Sequence, residues 1–109
     1  MLLFPFQALA ETMTEAQKIE ALINKVERLG DAVFIRNGKE HTPKEAADHM
    51  RLKLGNAGAR IKTADDFIKY CGTGSSMTGE AYKIRFKDGS ERLSADVLNG
   101  FLGDIEANK

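Results

Sequence analysis

His49 stands four residues after Glu45 in Glu45-Ala46-Ala47-Asp48-His49, a spacing that puts a carboxylate and an imidazole one turn apart on a helix face. Such a pair can share a proton or offer two metal ligands. Zinc normally needs three or four donors, and adding His41 and the single thiol, Cys71, makes a conceivable cluster that matches no ligand-spacing pattern. No metal or other cofactor is therefore assigned, and an ordinary helix-face contact is the plainer role for His49. Ser75 or Ser76 with His49 and Asp48 supplies the parts of a hydrolytic triad. Adjacent Asp48 and His49 point in different directions on a helix, however, and neither serine lies in a nucleophile elbow. No catalytic residue is assigned.

The stretch Gly72-Thr73-Gly74-Ser75-Ser76-Met77-Thr78-Gly79 has the composition of a phosphate loop but lacks its terminal lysine, and it passes from helix to strand. It reads as a structural loop of some flexibility, with backbone amides able to form an anion nest. Arg51, Lys53, Arg60 and Lys62 lie in a run with no acidic residue from Met50 through Ala64. They form a positive rim near Thr63, where the exposed amides of a helix start also favour an anion. Tyr82 with Lys83, Arg85 and Lys87 adds to that rim, although alternating cations also protect an edge strand.

These side chains need elements to hold them. Ile19, Leu22, Ile23, Val26 and Leu29 recur at helical spacing after Thr14, and Gly30 stands where a helix stops. Val33-Phe34-Ile35 and the residues from Lys39 to His41 make a weak hairpin around Asn37-Gly38. Thr42-Pro43-Lys44-Glu45 is a capping box with proline at the first helical position. It opens a helix with Ala46, Ala47, Met50 and Leu54 on one face, ended by Gly55 and Gly58. Thr63 caps a short helix through Phe67, Ile68 and Cys71. Tyr82, Ile84 and Phe86 alternate along a strand that turns at Asp88-Gly89 and pairs back over residues 91–93. Ser94 opens a last helix carrying Val97, Leu98, Phe101, Leu102 and Ile105. The expected architecture is α+β and predominantly helical, with about four helices, a short β-hairpin in the C-terminal half and a weaker second hairpin. Its core draws on Leu22, Ile23, Val26, Phe67, Ile84, Phe86, Val97, Leu98, Phe101 and Ile105.

At 109 residues the chain suits one core, so residues 11–109 are expected to form a single compact domain. Sixteen basic and sixteen acidic residues cancel, which disfavours nucleic acid as a partner. Met1 to Ala10, MLLFPFQALA, is too short to cross a bilayer and lacks a basic start. Its Ala8-Leu9-Ala10 ending fits signal peptidase. The run reads as the remnant of a signal peptide truncated at its start, or else as a flexible apolar tail, and points to a periplasmic or secreted protein.

The ordered set Phe34-Ile35-Arg36-Asn37-Gly38, Glu45 to Lys53, Ile61 to Ile68, Ser75 to Gly79 and Tyr82-Lys83-Ile84 resembles a family of small bacterial exported proteins, domain-of-unknown-function family 5329. The likeness runs from about residue 15 to 103. It implies an exported single domain in which Arg36, Asn37, His49, Arg51, Lys53, Ser75, Ser76 and Tyr82 line a shared feature. Cys71 and His41 depart from the residue types expected of the family, so neither is a catalytic candidate. The leading functional expectation is a non-enzymatic periplasmic binding or interaction module. It uses those residues together with Arg60 toward an unidentified protein or a small anionic ligand, as a monomer or weak oligomer. The alternatives are a small hydrolase or ligand-processing enzyme built on His49 and Ser75 or Ser76, and a structural envelope protein.

Overall fold

A computed structural model of the chain describes residues 13–107. The signal-peptide reading of residues 1–10 lies outside the described residues. Helix α1 spans Glu15–Glu27, β1 Val33–Arg36, β2 Lys39–His41 and α2 Pro43–Ala57, which a 3-10 turn at Gly58–Arg60 follows. Then come α3 at Ala64–Cys71, β3 at Lys83–Arg85, β4 at Glu91–Leu93 and α4 at Ser94–Ala107. The chain is thus an α+β protein with four α-helices and a small antiparallel sheet among the described residues.

Three helix starts carry complete capping boxes. Thr14 exchanges bonds with Gln17, Thr42 with Glu45 and Thr63 with Asp66, each satisfying amides that the first turn leaves free. Gly55 does not end α2, which runs on to Ala57 with Gly58 as its cap at φ +56°. The expected cap at Ser94 is also absent. Its side-chain oxygen is buried with no hydrogen-bond partner, while its backbone N–H donates to Tyr82 O at 2.9 Å.

The two hairpins join into one sheet of order β2-β1-β3-β4, because β1 also pairs with β3 through Phe34 opposite Ile84. Strand β3 is therefore internal, and its cations do not guard an edge. Arg85 reaches across β1 to Glu40 and also approaches Glu91 on β4. Asn37 and Gly38 turn β1 into β2 at φ +52° and +76°, the left-handed region that a tight two-residue hairpin turn requires and that asparagine tolerates.

Helix α1 lies against the other three helices, and α2 lies over the inner face of the sheet. Leu22, Ile23, Val26, Phe67, Ile84, Val97, Leu98 and Ile105 are buried as expected. Phe86 and Phe101 are only partly buried and pack on the rim of the core. Their places inside are taken by Phe34, Ala47, Met50, Cys71 and Tyr82. The alanine at 47 admits the close approach of α2, and the thiol of Cys71, pushed up by burial, is a small core group.

Candidate functional site

Helix α2, the inner face of β1 and the loop from Gly72 to Gly79 enclose a cleft of about 320 Å³ lined by Arg36, Asn37, His49, Lys53, Ser75, Ser76, Met77 and Tyr82. His49 and Lys53 are one turn apart on α2 and so share a face. Arg36 is two residues after Phe34 and projects from the same sheet face. Tyr82, almost wholly buried, brings its hydroxyl between the two helix residues, 3.1 Å from Lys53 Nζ and 3.5 Å from His49 Nε2. Lys53 also donates to Gly74 O at 3.0 Å, which ties helix to loop, and its ammonium lies 5.1 Å from the centre of the Tyr82 ring.

Backbone hydrogen bonds cross the loop despite its glycine content. A bridge pairs Gly74 with Ala81, Ser75 N–H donates to Glu80 O, and Tyr82 N–H donates to Thr73 O. Ser75 Oγ accepts from the amides of Met77 and Thr78, so its hydroxyl shapes the turn. Asn37 completes the frame from the opposite hairpin, donating to Ser75 Oγ at 3.4 Å and accepting from Thr78 Oγ1 at 2.8 Å. Met77 at the loop tip is 93% exposed beside the opening.

Beneath the cleft lies a pocket of about 20 Å³ bounded by Phe34, Arg36, His41, Ala46, His49, Met50 and Tyr82. That is room for one water-sized group, and the Nε2 of His41 is buried there with no protein partner. Burial, then the charges of Arg36, Lys53 and His41, hold His49 below its ordinary value of 6.5, so its imidazole is neutral at pH 7.

Two expected site residues are placed elsewhere. Arg51 lies two positions before Lys53 and so points away from the cleft. It bonds to Glu20, Asn24 and Glu27 of α1. Arg60 lines an adjoining hollow of about 180 Å³ with Asn56, Ala57 and Tyr70, which meets the cleft at Lys53 and Ser76. The start of α3 near Thr63 is also not open to a ligand. Glu15 accepts from Ala64 N–H at 2.8 Å, and Asp66 accepts from the amides of Lys62 and Thr63. The chain's own carboxylates thus occupy the place where an anion was expected. His41 and Asn56 were missed as lining residues. His41 faces its strand partner Phe34, and that pairing could have been read from the Asn37-Gly38 turn.

Chemically, the cleft offers cations, amides and hydroxyls. The hydrogen-bond contact of His49 is the phenol of Tyr82, and among the described residues no hydrogen bond joins its ring to Ser75 or Ser76. Among the described residues no group of three His, Cys, Asp or Glu side chains converges as a metal site. Among the described residues the exposed large apolar side chains are Leu52 on α2, Tyr70 on α3, Met77 in the loop and Leu93 on β4.

Comparison with known proteins agrees with the likeness in the motifs. The chain is 44% identical over 68 residues to the uncharacterized protein YfeK of Salmonella typhimurium, a match covering 62% of this chain and 57% of that relative. The chain thus spans a little over half of the relative's length. No solved structure matches it. A model described as "Family of unknown function (DUF5329)" matches residues 13–106, nearly all of the described chain, and the protein belongs to that bacterial family.

Proposed function

We propose that the protein is a non-enzymatic binding module whose cleft takes an anionic group, a carboxylate or a phosphate, between Arg36, His49 and Lys53. The observation that carries this reading is the charge balance of the cleft. Its lining holds Arg36 and Lys53 and no carboxylate. Among the described residues neither Arg36 nor Lys53 has an acidic partner within 4.0 Å, a state they share with other surface cations such as Lys39 and Lys83 but not with Arg51, which Glu20 and Glu27 hold; what sets them apart is that both line one acid-free cleft. The partners of Lys53 are a carbonyl and a phenol, both neutral, so its charge is oriented and uncompensated. An anion arriving there meets a held donor rather than a freely moving lysine, which lowers the ordering cost of binding.

The protein works in the periplasm or outside the cell on this reading, which rests on the apolar run MLLFPFQALA. Cell fractionation with mass determination of the N-terminus tests that part. The binding part is tested by following the His49 ring by NMR while inorganic phosphate or acetate is added. An anion seated beside the imidazole favours its charged form and raises its pKa. Lys53→Met removes one charge-assisted hydrogen bond, about 1.5 to 3 kcal/mol, and weakens binding roughly 10- to 150-fold. No shift of His49 with either anion, or equal binding by Lys53→Met, rejects the reading.

A further inference from the structure

The cleft does not end at Lys53. Lys53 and Ser76 form one wall of the first cavity and one wall of the second, so the two hollows are lobes of a single groove along α2. His49, Lys53 and Ala57 follow one another on the same helix face, and the axis advances about 12 Å from the first to the last. That is too long for a single phosphate or carboxylate.

The second lobe differs in chemistry from the first. Arg60 supplies a guanidinium, Asn56 a side-chain amide, and Tyr70 a phenol ring that is 42% exposed. Lys69 Nζ lies 5.4 Å from the centre of that ring and adds positive charge to the same end. No carboxylate lines either lobe. Along its length the groove therefore alternates cations with groups that both donate and accept hydrogen bonds, and it ends on an aromatic face.

Resting on the proposed anion site, we infer that the groove binds a short acidic oligosaccharide, with one sugar carboxylate at Arg36 and Lys53 and a following ring against Tyr70 and Arg60. A sugar ring presents a C–H face that stacks on an aromatic side chain, while its hydroxyls exchange hydrogen bonds with amides and hydroxyls such as Asn37, Asn56 and Ser76. An extended peptide would gain less. Its backbone needs an unpaired strand edge, and the walls here are the side-chain surface of α2 and a loop whose carbonyls at Thr73, Gly74 and Ser75 are already used.

The test is calorimetric titration of the full chain with galacturonate, tri-galacturonate, inorganic phosphate and tri-glutamate. Tri-galacturonate is expected to bind about tenfold or more tightly than galacturonate, since it gains Arg60 and Tyr70. The double variant Arg60→Ala, Tyr70→Ala alters exposed side chains, keeps the melting temperature, and loses that gain while binding galacturonate and phosphate as before. Affinity independent of length overturns the inference and leaves the anion site standing. So does a length gain that survives in the double variant. An equal gain for tri-glutamate overturns the assignment to sugar. Failure of all four ligands to bind overturns the anion site and this inference together.

Discussion

Ser94→Ala separates two accounts of how the last helix begins, and they differ in sign. If Ser94 were an ordinary cap, its removal would cost about 0.5 to 2 kcal/mol. Here its residue is 0% exposed and its hydroxyl has no partner, so the wild-type protein bears a desolvation penalty of about 1 to 3 kcal/mol that alanine lacks. The void left by one oxygen offsets only about 0.3 kcal/mol of that gain, at about 24 cal/mol per Å³. The bond from Ser94 N–H to Tyr82 O is kept, because it is made by the backbone. The net expectation is a gain of about 1 kcal/mol, which moves a urea midpoint up by roughly 0.5 to 1 M for a domain of this size. Urea unfolding followed by circular dichroism measures it directly. A midpoint lowered with unchanged slope would refute the reasoning, and it would mean that the hydroxyl is satisfied.

Gly72→Ala should destabilise by about 1 to 3 kcal/mol in the same assay, because a new Cβ would lie 2.3 Å from Leu98 Cδ1 at the junction of α3 and α4. Phe67→Ala, at a fully buried ring, should cost about 3 to 5 kcal/mol, and Phe101→Ala about half as much, since its ring is only partly covered. The amide of Ala64, then Lys18, hold the Glu15 carboxyl below its ordinary value of 4.5. Its contribution is present above that pH and is lost as pH falls through the lower folded value, so Glu15→Gln should destabilise at pH 7 and converge with wild type in acid melts. His49 is also depressed, from 6.5, which means the unfolded chain binds the proton first. Stability should therefore fall as pH drops below about 6.5, and that slope should be smaller in His49→Gln.

Local rules made the helices legible. Thr42 with Glu45 and Thr63 with Asp66 are self-contained instructions, and the structure forms both capping boxes at those positions. The hairpin turns were equally local, through Asn37-Gly38 and Asp88-Gly89. What the pattern could not show was that β1 would pair with β3, because that choice depends on burying Phe34 and Ile84 together across 50 residues of chain. Once that pairing exists, Arg36, His41 and Tyr82 face α2, and the cleft follows. Ser94 misled for a related reason: its amide is drawn to Tyr82 O by the sheet, and the side chain goes where the core sends it.

The cationic run after Met50 shows the same limit from the side of function. Arg51, Lys53 and Arg60 are alike in sequence, yet Arg51 meets three polar residues of α1, while Lys53 turns toward a carbonyl and a phenol. The difference is one of helical phase. Two residues along a helix rotate a side chain to the opposite flank, where α1 supplies Glu20 and Glu27. Residues from α1 also claim the helix start at Thr63, where Glu15 meets Ala64 N–H. An acid-free stretch of sequence is therefore not an acid-free surface. In this chain the cleft gathers Arg36 from the sheet and Lys53 from α2, both without an acidic partner among the described residues, and Lys53 is further held by a carbonyl and a phenol. That convergence is a property of the β1 to β3 pairing. A variant that weakens it, such as Ile84→Ala, should disturb anion binding as well as stability, even though Ile84 touches no ligand position.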